Sequence, residues 1–295
     1  MEQYCSDYVT LKRWDRQFGR GSGGAYGISN NSTQATEHPR RAKPSTEAAD
    51  RFVERLALVE YAILLDIDGT LLDFAPSPSE VHVHASLRDT LRTLWTRTEG
   101  ALALVSGRPV KDIDRIFAPL KLPAIGGHGA ELRPTASRGK VVRRLLPLLE
   151  ERVRRQLFAL ATRGVMIEDK GYSLALHYRL VPESGADLHK AVASIVAFLP
   201  NSAYELLPGK FVIEVKPTGF NKGTAVLELM EFPPFKKRKP IFVGDDVTDE
   251  TVFAIMPDVQ GVGFSVGRIF PGVTGIFNRP ADVRAWLARL AKAAQ

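Results

Sequence analysis

Short, unbroken apolar runs punctuate this chain: "AILL" at 62–65, "ALALV" at 101–105, "PAI" at 123–125 and "PIFVG" at 240–244. Between the first two, Leu87, Leu91 and Leu94 recur at helical spacing, and after the second Val110, Ile113 and Phe117 do the same. Strands without polar alternation are covered on both faces, so their alternation with amphipathic helices predicts a doubly wound parallel sheet. A helix over 281–293 would bury Val283, Trp286, Leu287 and Leu290 and expose Arg284, Arg289 and Lys292, closing the core. A further helix, capped by Ser45 or Thr46, would start the folded chain with Phe52, Val53, Leu56 and Val59 on one face.

The middle of the chain breaks this rhythm. From 145 to 211, "RRQLFALATR" and "LHKAVASIVAFL" read as helices, while "VMIEDKGYSLALHYRLV" and "AYELLPGKFVIEVKP" read as strands with glycine turns. The expected fold class is therefore α/β, a doubly wound, Rossmann-like parallel-sheet core with an inserted smaller α+β cap domain. The expected organisation is a disordered arm at 1–46, core at 47–144, cap at 145–211 and core again at 212–295. The arm, rich in Gly, Ser, Asn and Thr, holds too few large apolar groups to offset ordering. Its G-x-G-x-x-G match at Gly19, Gly21 and Gly24 has no strand before it and no helix after it, and is a chance match.

Composition narrows the function. The 295 residues are 44% hydrophobic, enough to build real cores. A single cysteine, Cys5, excludes a disulfide framework and suggests a reducing compartment. No run approaches the roughly 18–20 apolar residues of a membrane span, and no signal-peptide core is present, so the expected location is cytoplasmic. A net charge of +7 suits an anionic partner. The positive charge is dispersed and no nucleic-acid-binding pattern accompanies it, which favours a small anionic substrate over nucleic acid or a membrane.

Reactive groups gather where apolar runs end, the place where open α/β sheets bind ligands. Asp66 and Asp68 lie two apart on extended chain and share a face, a pairing that calls for a nearby cation. Ser106, Gly107 and Arg108 follow "ALALV", with a hydroxyl and amides suited to a phosphate oxygen at a helix start. Lys222 opens the helix "KGTAVLELM" and would bring an ammonium to the same place. "GDDVTDE", 244–250, crowds four acids behind a buried strand, and oxygen-only ligands suit a hard ion such as Mg²⁺.

These four signals, in this order, resemble the haloacid dehalogenase superfamily of phosphotransferases, and the insert between the second and third resembles its larger cap type. "GGHGAELR" at 126–133, "EDKGYSLALHYR" at 168–179, "PGKFVIEVKPTGFNKG" at 208–223 and "VGDDVTDE" at 243–250 closely resemble the trehalose-6-phosphate phosphatases. The resemblance implies Asp66 as nucleophile and Asp68 as acid/base partner. It implies Mg²⁺ held by Asp66, the Asp68 main chain and Asp245, with Asp246 and Asp249 outside them. Ser106 and Lys222 would bind phosphoryl oxygens, with Gly69, Thr70, Gly107 and Arg108 also at the substrate. Glu131, Lys170, Lys210 and Glu214 would reach sugar hydroxyls, supported by His177 and Arg179.

A phosphatase for another sugar phosphate and a non-catalytic sugar-phosphate sensor remain alternatives at this stage. So does a bland reading of Glu214 and Lys216 as an exposed strand face, and of His177 as a satisfied strand residue. His82 and His84, and "KKRK" at 236–239, read as solvated loops; Arg143, Arg144, Arg152, Arg154 and Arg155 would either steer a dianion or form a solvated helix face.

Overall fold

The computed structural model describes residues 49, 57–73, 83–136, 142–143, 149–162, 164–197, 204–209 and 211–293. The expected arm, Phe52, Val53, Leu56, His82, Arg144 and Lys210 lie outside these residues. In chain order the first elements are β1 (Tyr61–Leu65), α1 (Ala85–Arg97), β2 (Leu102–Val105), α2 (Val110–Phe117), β3 (Ala124–Gly126), β4 (Glu131–Arg133) and β5 (Val142–Arg143). Next come α3 (Glu151–Phe158), β6 (Met166–Asp169), β7 (Leu174–His177), α4 (Gly185–Ala197), β8 (Tyr204–Gly209) and β9 (Val212–Pro217). The chain finishes with α5 (Lys222–Leu229), β10 (Lys239–Gly244), α6 (Glu250–Ile255), β11 (Val262–Val266), β12 (Gly275–Phe277) and α7 (Pro280–Lys292).

The large sheet runs in the order β12-β11-β10-β1-β2-β3-β4-β5. It is parallel from β12 to β3, and β4 and β5 add antiparallel at one edge. The period of two along β1 divides its residues between two cores. Ile63 and Leu65 pack with Leu87, Leu91, Ile113 and Trp286 from α1, α2 and α7, while Ala62 and Leu64 pack with Val226 of α5 and Phe253 of α6. An apolar run with no polar alternation is thus the mark of a strand covered on both sides.

Val59 departs from its expectation. It sits in a single 3-10 turn, Leu58–Glu60, and is 44% exposed. The turn ends as the chain straightens into β1, so the helical spacing is not carried through. His84 is the residue preceding α1, with extended backbone, which is a boundary role.

The small sheet, β6-β7-β9-β8, is antiparallel throughout. One face carries Leu174, Leu176, Ile213 and Val215 against Val153, Leu157, Leu188 and Val192 of α3 and α4. The register puts Glu168 opposite Ala175, Ala175 opposite Glu214 and Leu207 opposite Glu214, so these residues share the other face. The expected cap ended at residue 211, yet β9 pairs with both β7 and β8 and carries this sheet on to Pro217. Glu214 and Lys216 are not on a solvated face: they are 5% and 1% exposed.

The closing helix is anchored by aromatic packing. The Trp286 ring lies 5.7 Å from Phe264 and 5.5 Å from Phe277, and its indole N–H donates to the Ala49 carbonyl at 3.0 Å. Trp286→Ala is expected to lower stability by about 3–5 kcal/mol through the cavity and the lost hydrogen bond. Urea unfolding reads this, and a loss under about 1 kcal/mol would show that the site collapses freely.

Candidate active site

β10, β1 and β2 are neighbours and parallel, so Asp245, Asp66 and Ser106 emerge together at the carboxyl ends of these central strands. Opposite them stands the N-terminus of α5, set by a capping box in which the Asn221 side chain accepts from the Thr224 amide. Gly223 lets that helix come close, since a Cβ there would lie 2.2 Å from the Thr251 carbonyl oxygen. The first helical residue, Lys222, is buried and donates to Asp66 Oδ1 at 2.8 Å and to Asp249 Oδ1 at 2.7 Å. Burial works against its charge, but Asp249 and Asp66 outweigh burial and hold the ammonium well above the ordinary lysine range.

Three carboxylates face that one ammonium. Oxygens of Asp66, Asp245 and Asp249 lie within 4.8 Å of one another. Burial pushes the Asp66 carboxyl well above its ordinary value against the pull of Lys222, and repulsion from Asp249 and Asp245 adds to the shift. Burial and Asp249 push Asp245 up to about 7. A crowded cluster built from hard oxygen donors only fits a hard divalent cation.

The partners of each acid divide the work. Asp245 Oδ1 accepts from the Thr70 hydroxyl at 2.9 Å, and a Cβ on Gly69 would lie 2.1 Å from its other oxygen. Gly69 has φ +85°, a left-handed conformation that itself favours glycine. Asp249 already accepts Lys222 on Oδ1 and the amides of Asp245 and Asp246 on Oδ2, at 2.9 and 3.0 Å. Asp246 turns away, its carboxylate accepting from the Val247 amide.

Asp68 stands apart from the acidic cluster. Its carboxylate accepts a two-pronged contact from Arg108, Nε to Oδ2 at 2.6 Å and Nη2 to Oδ1 at 2.7 Å. Burial opposes the Arg108 charge, yet Asp68, with Glu168 and Asp112, raises its pKa further. Ser106 is buried and its Oγ accepts from the Arg108 amide at 3.1 Å. Glu131, expected at the sugar, is buried, and its Oε2 accepts from the Val110 amide at 2.6 Å, holding the start of α2.

The polar face of the small sheet roofs these strand ends. Lys170 donates to Glu214 at 2.7 Å and to the Gly107 carbonyl at 3.3 Å. The Ser173 hydroxyl donates to the other Glu214 oxygen at 2.6 Å, and His128 Nε2 lies 3.4 Å from Glu214. Burial opposes the Glu214 charge, but Lys170 and then His128 hold its carboxyl well below the usual range. His177 pairs with Glu168 at 3.0 Å, and this contact lowers the Glu168 pKa. Arg179 is half-buried in the turn after β7.

His128, Glu168 and Ser173 join this network without having been singled out in the sequence. His128 carried a signal, standing between Gly127 and Gly129 with φ +53° against the Gly107 main chain. Glu168 and Ser173 are ordinary strand-end residues until the pairing of β6, β7 and β9 is known. Beside them, His128, Lys222, Leu207, Lys216 and Thr248 contribute to the lining of a cavity of about 300 Å³.

Comparison with known proteins is consistent with this geometry. The family model described as trehalose-phosphatase matches residues 64–269. A protein of Sinorhizobium fredii named probable trehalose-phosphate phosphatase is 37% identical over 238 residues, 79% of this chain and 89% of that protein. The trehalose-6-phosphate phosphatase of Escherichia coli is 36% identical over 241 residues, 80% of this chain and 88% of its own length. Among solved structures, the C-terminal domain of the Candida albicans trehalose-6-phosphate phosphatase superposes with a TM-score of 0.73 at 20% identity, covering 87% of this chain and 100% of that one. A phosphatase of the haloalkanoate superfamily from Bacteroides thetaiotaomicron has a TM-score of 0.52 at 15% identity, over 86% of this chain and 97% of that one. These two structural likenesses show the fold.

The roof network predicts a pH dependence of stability. A carboxyl whose folded pKa is lowered binds fewer protons in the folded chain, so its contribution is complete above its unfolded value near 4.5 and is lost as pH falls towards the folded one. Glu214→Gln is expected to destabilise by about 3 kcal/mol at pH 7, because the buried Lys170 loses its carboxylate partner. The gap to the parent should narrow below pH 4; urea titrations at pH 7 and pH 3 read it, and a gap indifferent to pH would contradict the ionic origin.

Proposed function

This chain belongs to the trehalose-phosphatase family and is a phosphatase, and we propose that it hydrolyses trehalose 6-phosphate to trehalose and phosphate by way of an aspartyl-phosphate. The observation that carries the chemistry is the buried Asp66 carboxylate at the end of β1, with the Lys222 ammonium on one oxygen and two further carboxylates within 4.8 Å. Binding a sugar phosphate needs no such nucleophile.

Asp66 attacks phosphorus in line, and the bond to the sugar 6-oxygen breaks as Asp68 gives that oxygen a proton. Water then attacks the aspartyl-phosphate, losing its proton to Asp68, and the Asp66 carboxylate is restored. Lys222 and Ser106 stabilise the phosphoryl oxygens, and Lys222 also keeps Asp66 in one rotamer. A magnesium ion held by Asp66, Asp245 and the Asp68 carbonyl would neutralise charge between nucleophile and phosphate. Asp249 orients Lys222 and the loop that presents Asp245. Lys170, Glu214 and His177, on the roof, select the sugar with Arg179 and Lys210. Among the described residues no helix is long and apolar enough to cross a membrane.

Phosphate release measured with trehalose 6-phosphate, sucrose 6-phosphate, glucose 6-phosphate and p-nitrophenyl phosphate tests the reading. A preference for trehalose 6-phosphate of about 10²-fold or more in kcat/KM is expected. Equal rates on all four would reject the substrate assignment. Asp66→Asn should lower turnover at least about 10³-fold with an unchanged melting temperature. Chelation should abolish activity and added Mg²⁺ restore it; activity indifferent to chelator would reject the metal.

A further inference from the structure

We propose that Arg108 is the positioning residue of the acid/base Asp68, holding the carboxylate at the leaving oxygen by its two-pronged contact rather than binding substrate phosphate. The inference rests on the aspartyl-phosphate reading above, and concerns a residue whose expected place was at the substrate.

Asp68 needs a holder. It lies beyond the end of β1 with a side chain 30% exposed, outside the cluster that fixes Asp66, Asp245 and Asp249. A free carboxylate there would sample several rotamers and drift from the acidic cluster by repulsion. The planar guanidinium removes that freedom with contacts at 2.6 and 2.7 Å, one to each oxygen. Each carboxylate oxygen has two lone pairs, so one on each remains for proton transfer.

Arg108 is itself held from both sides. Its amide donates to Ser106 Oγ at 3.1 Å, and its carbonyl accepts from the Gly127 amide at 3.0 Å. Two residues on, the Val110 amide is fixed by the buried Glu131 carboxylate. A Cβ at Gly126 would come within 2.9 Å of the Arg108 carbonyl, so the β3 end presses directly on this loop. Main-chain restraint of this kind suits a side chain whose task is to fix another group. It also gives Glu131, buried and remote from solvent, a reason to be acidic.

The test separates the two half-reactions. p-Nitrophenolate departs without a proton, whereas a sugar alkoxide requires one; hydrolysis of the aspartyl-phosphate requires a base for water with either substrate. Arg108→Ala, saturated with Mg²⁺, should therefore form the first equivalent of p-nitrophenol within about 3-fold of the parent rate. Its steady-state turnover should then fall about 10²-fold. On trehalose 6-phosphate the first turnover itself should be slowed to a similar degree. Arg108→Lys, which retains one contact, should fall between, and guanidinium ion should partly restore the alanine variant.

Unchanged p-nitrophenyl phosphate kinetics with a raised KM for trehalose 6-phosphate would overturn the proposal and make Arg108 a substrate contact. Equal slowing of first and later turnovers on p-nitrophenyl phosphate, without rescue, would overturn it in favour of a structural role. Should Arg108→Ala lack the parent's circular dichroism, the same comparison is made on Arg108→Lys. The p-nitrophenyl phosphate measurements stand whichever sugar phosphate proves to be the substrate.

Discussion

One ammonium among three carboxylates, two of them buried and the third half-buried, is the constraint around which this molecule is arranged. Lys222 reaches Asp66 and Asp249 at 2.8 and 2.7 Å, although Asp66 lies 156 residues before it. Without that charge the carboxylates would have to protonate or leave the interior, since isolated buried ions cost several kcal/mol each. The requirement sets where α5 begins, why Asn221 caps it and why residue 223 carries no side chain. Even so the lysine balances only part of the charge, and the cluster is of a kind that could hold a cation.

A second ionic system lies beside the first and is built from different elements. The acidic cluster is made by strand ends of the large sheet, whereas Lys170, Glu214, Ser173, Glu168 and His177 belong to one face of the small sheet. The two meet at the loop after β2, where Gly107 accepts from Lys170 and Arg108 grips Asp68. The acidic strand ends and the small-sheet network are therefore separate elements that meet at the loop between β2 and α2, residues 106–109. The Lys170–Glu214 pair shows how the roof keeps such charge buried: each ion has a hydrogen-bonded counterpart, and the remaining Glu214 oxygen is satisfied by Ser173.

Several of the expected site residues hold their neighbours in place in this structure. Thr70 secures Asp245, Asp249 secures Lys222 and two amides, and Glu131 secures the start of α2. The pattern has a simple cause. A carboxylate or lysine that must react in a buried place needs its rotamer, its charge and its main chain fixed beforehand, and polar residues nearby in sequence supply most of those contacts.

By itself the sequence determined the parallel core, because strands buried on both faces read as unbroken apolar runs and their helices as one-sided stripes. It also singled out Asp66, Asp68, Ser106 and Asp245 as candidate positions, since each follows an apolar run, and Lys222 as the opening residue of a helix. Other features belonged to the tertiary structure alone. The membership of β9 in the small sheet, the burial of Glu214 and Lys216, the entry of Glu168 and Ser173 into the roof and the Arg108 grip on Asp68 all depend on pairing between segments far apart in the chain. Alternation along one strand shows that two faces differ, but which face is covered is decided by the partner that arrives, and a single strand does not name its partner.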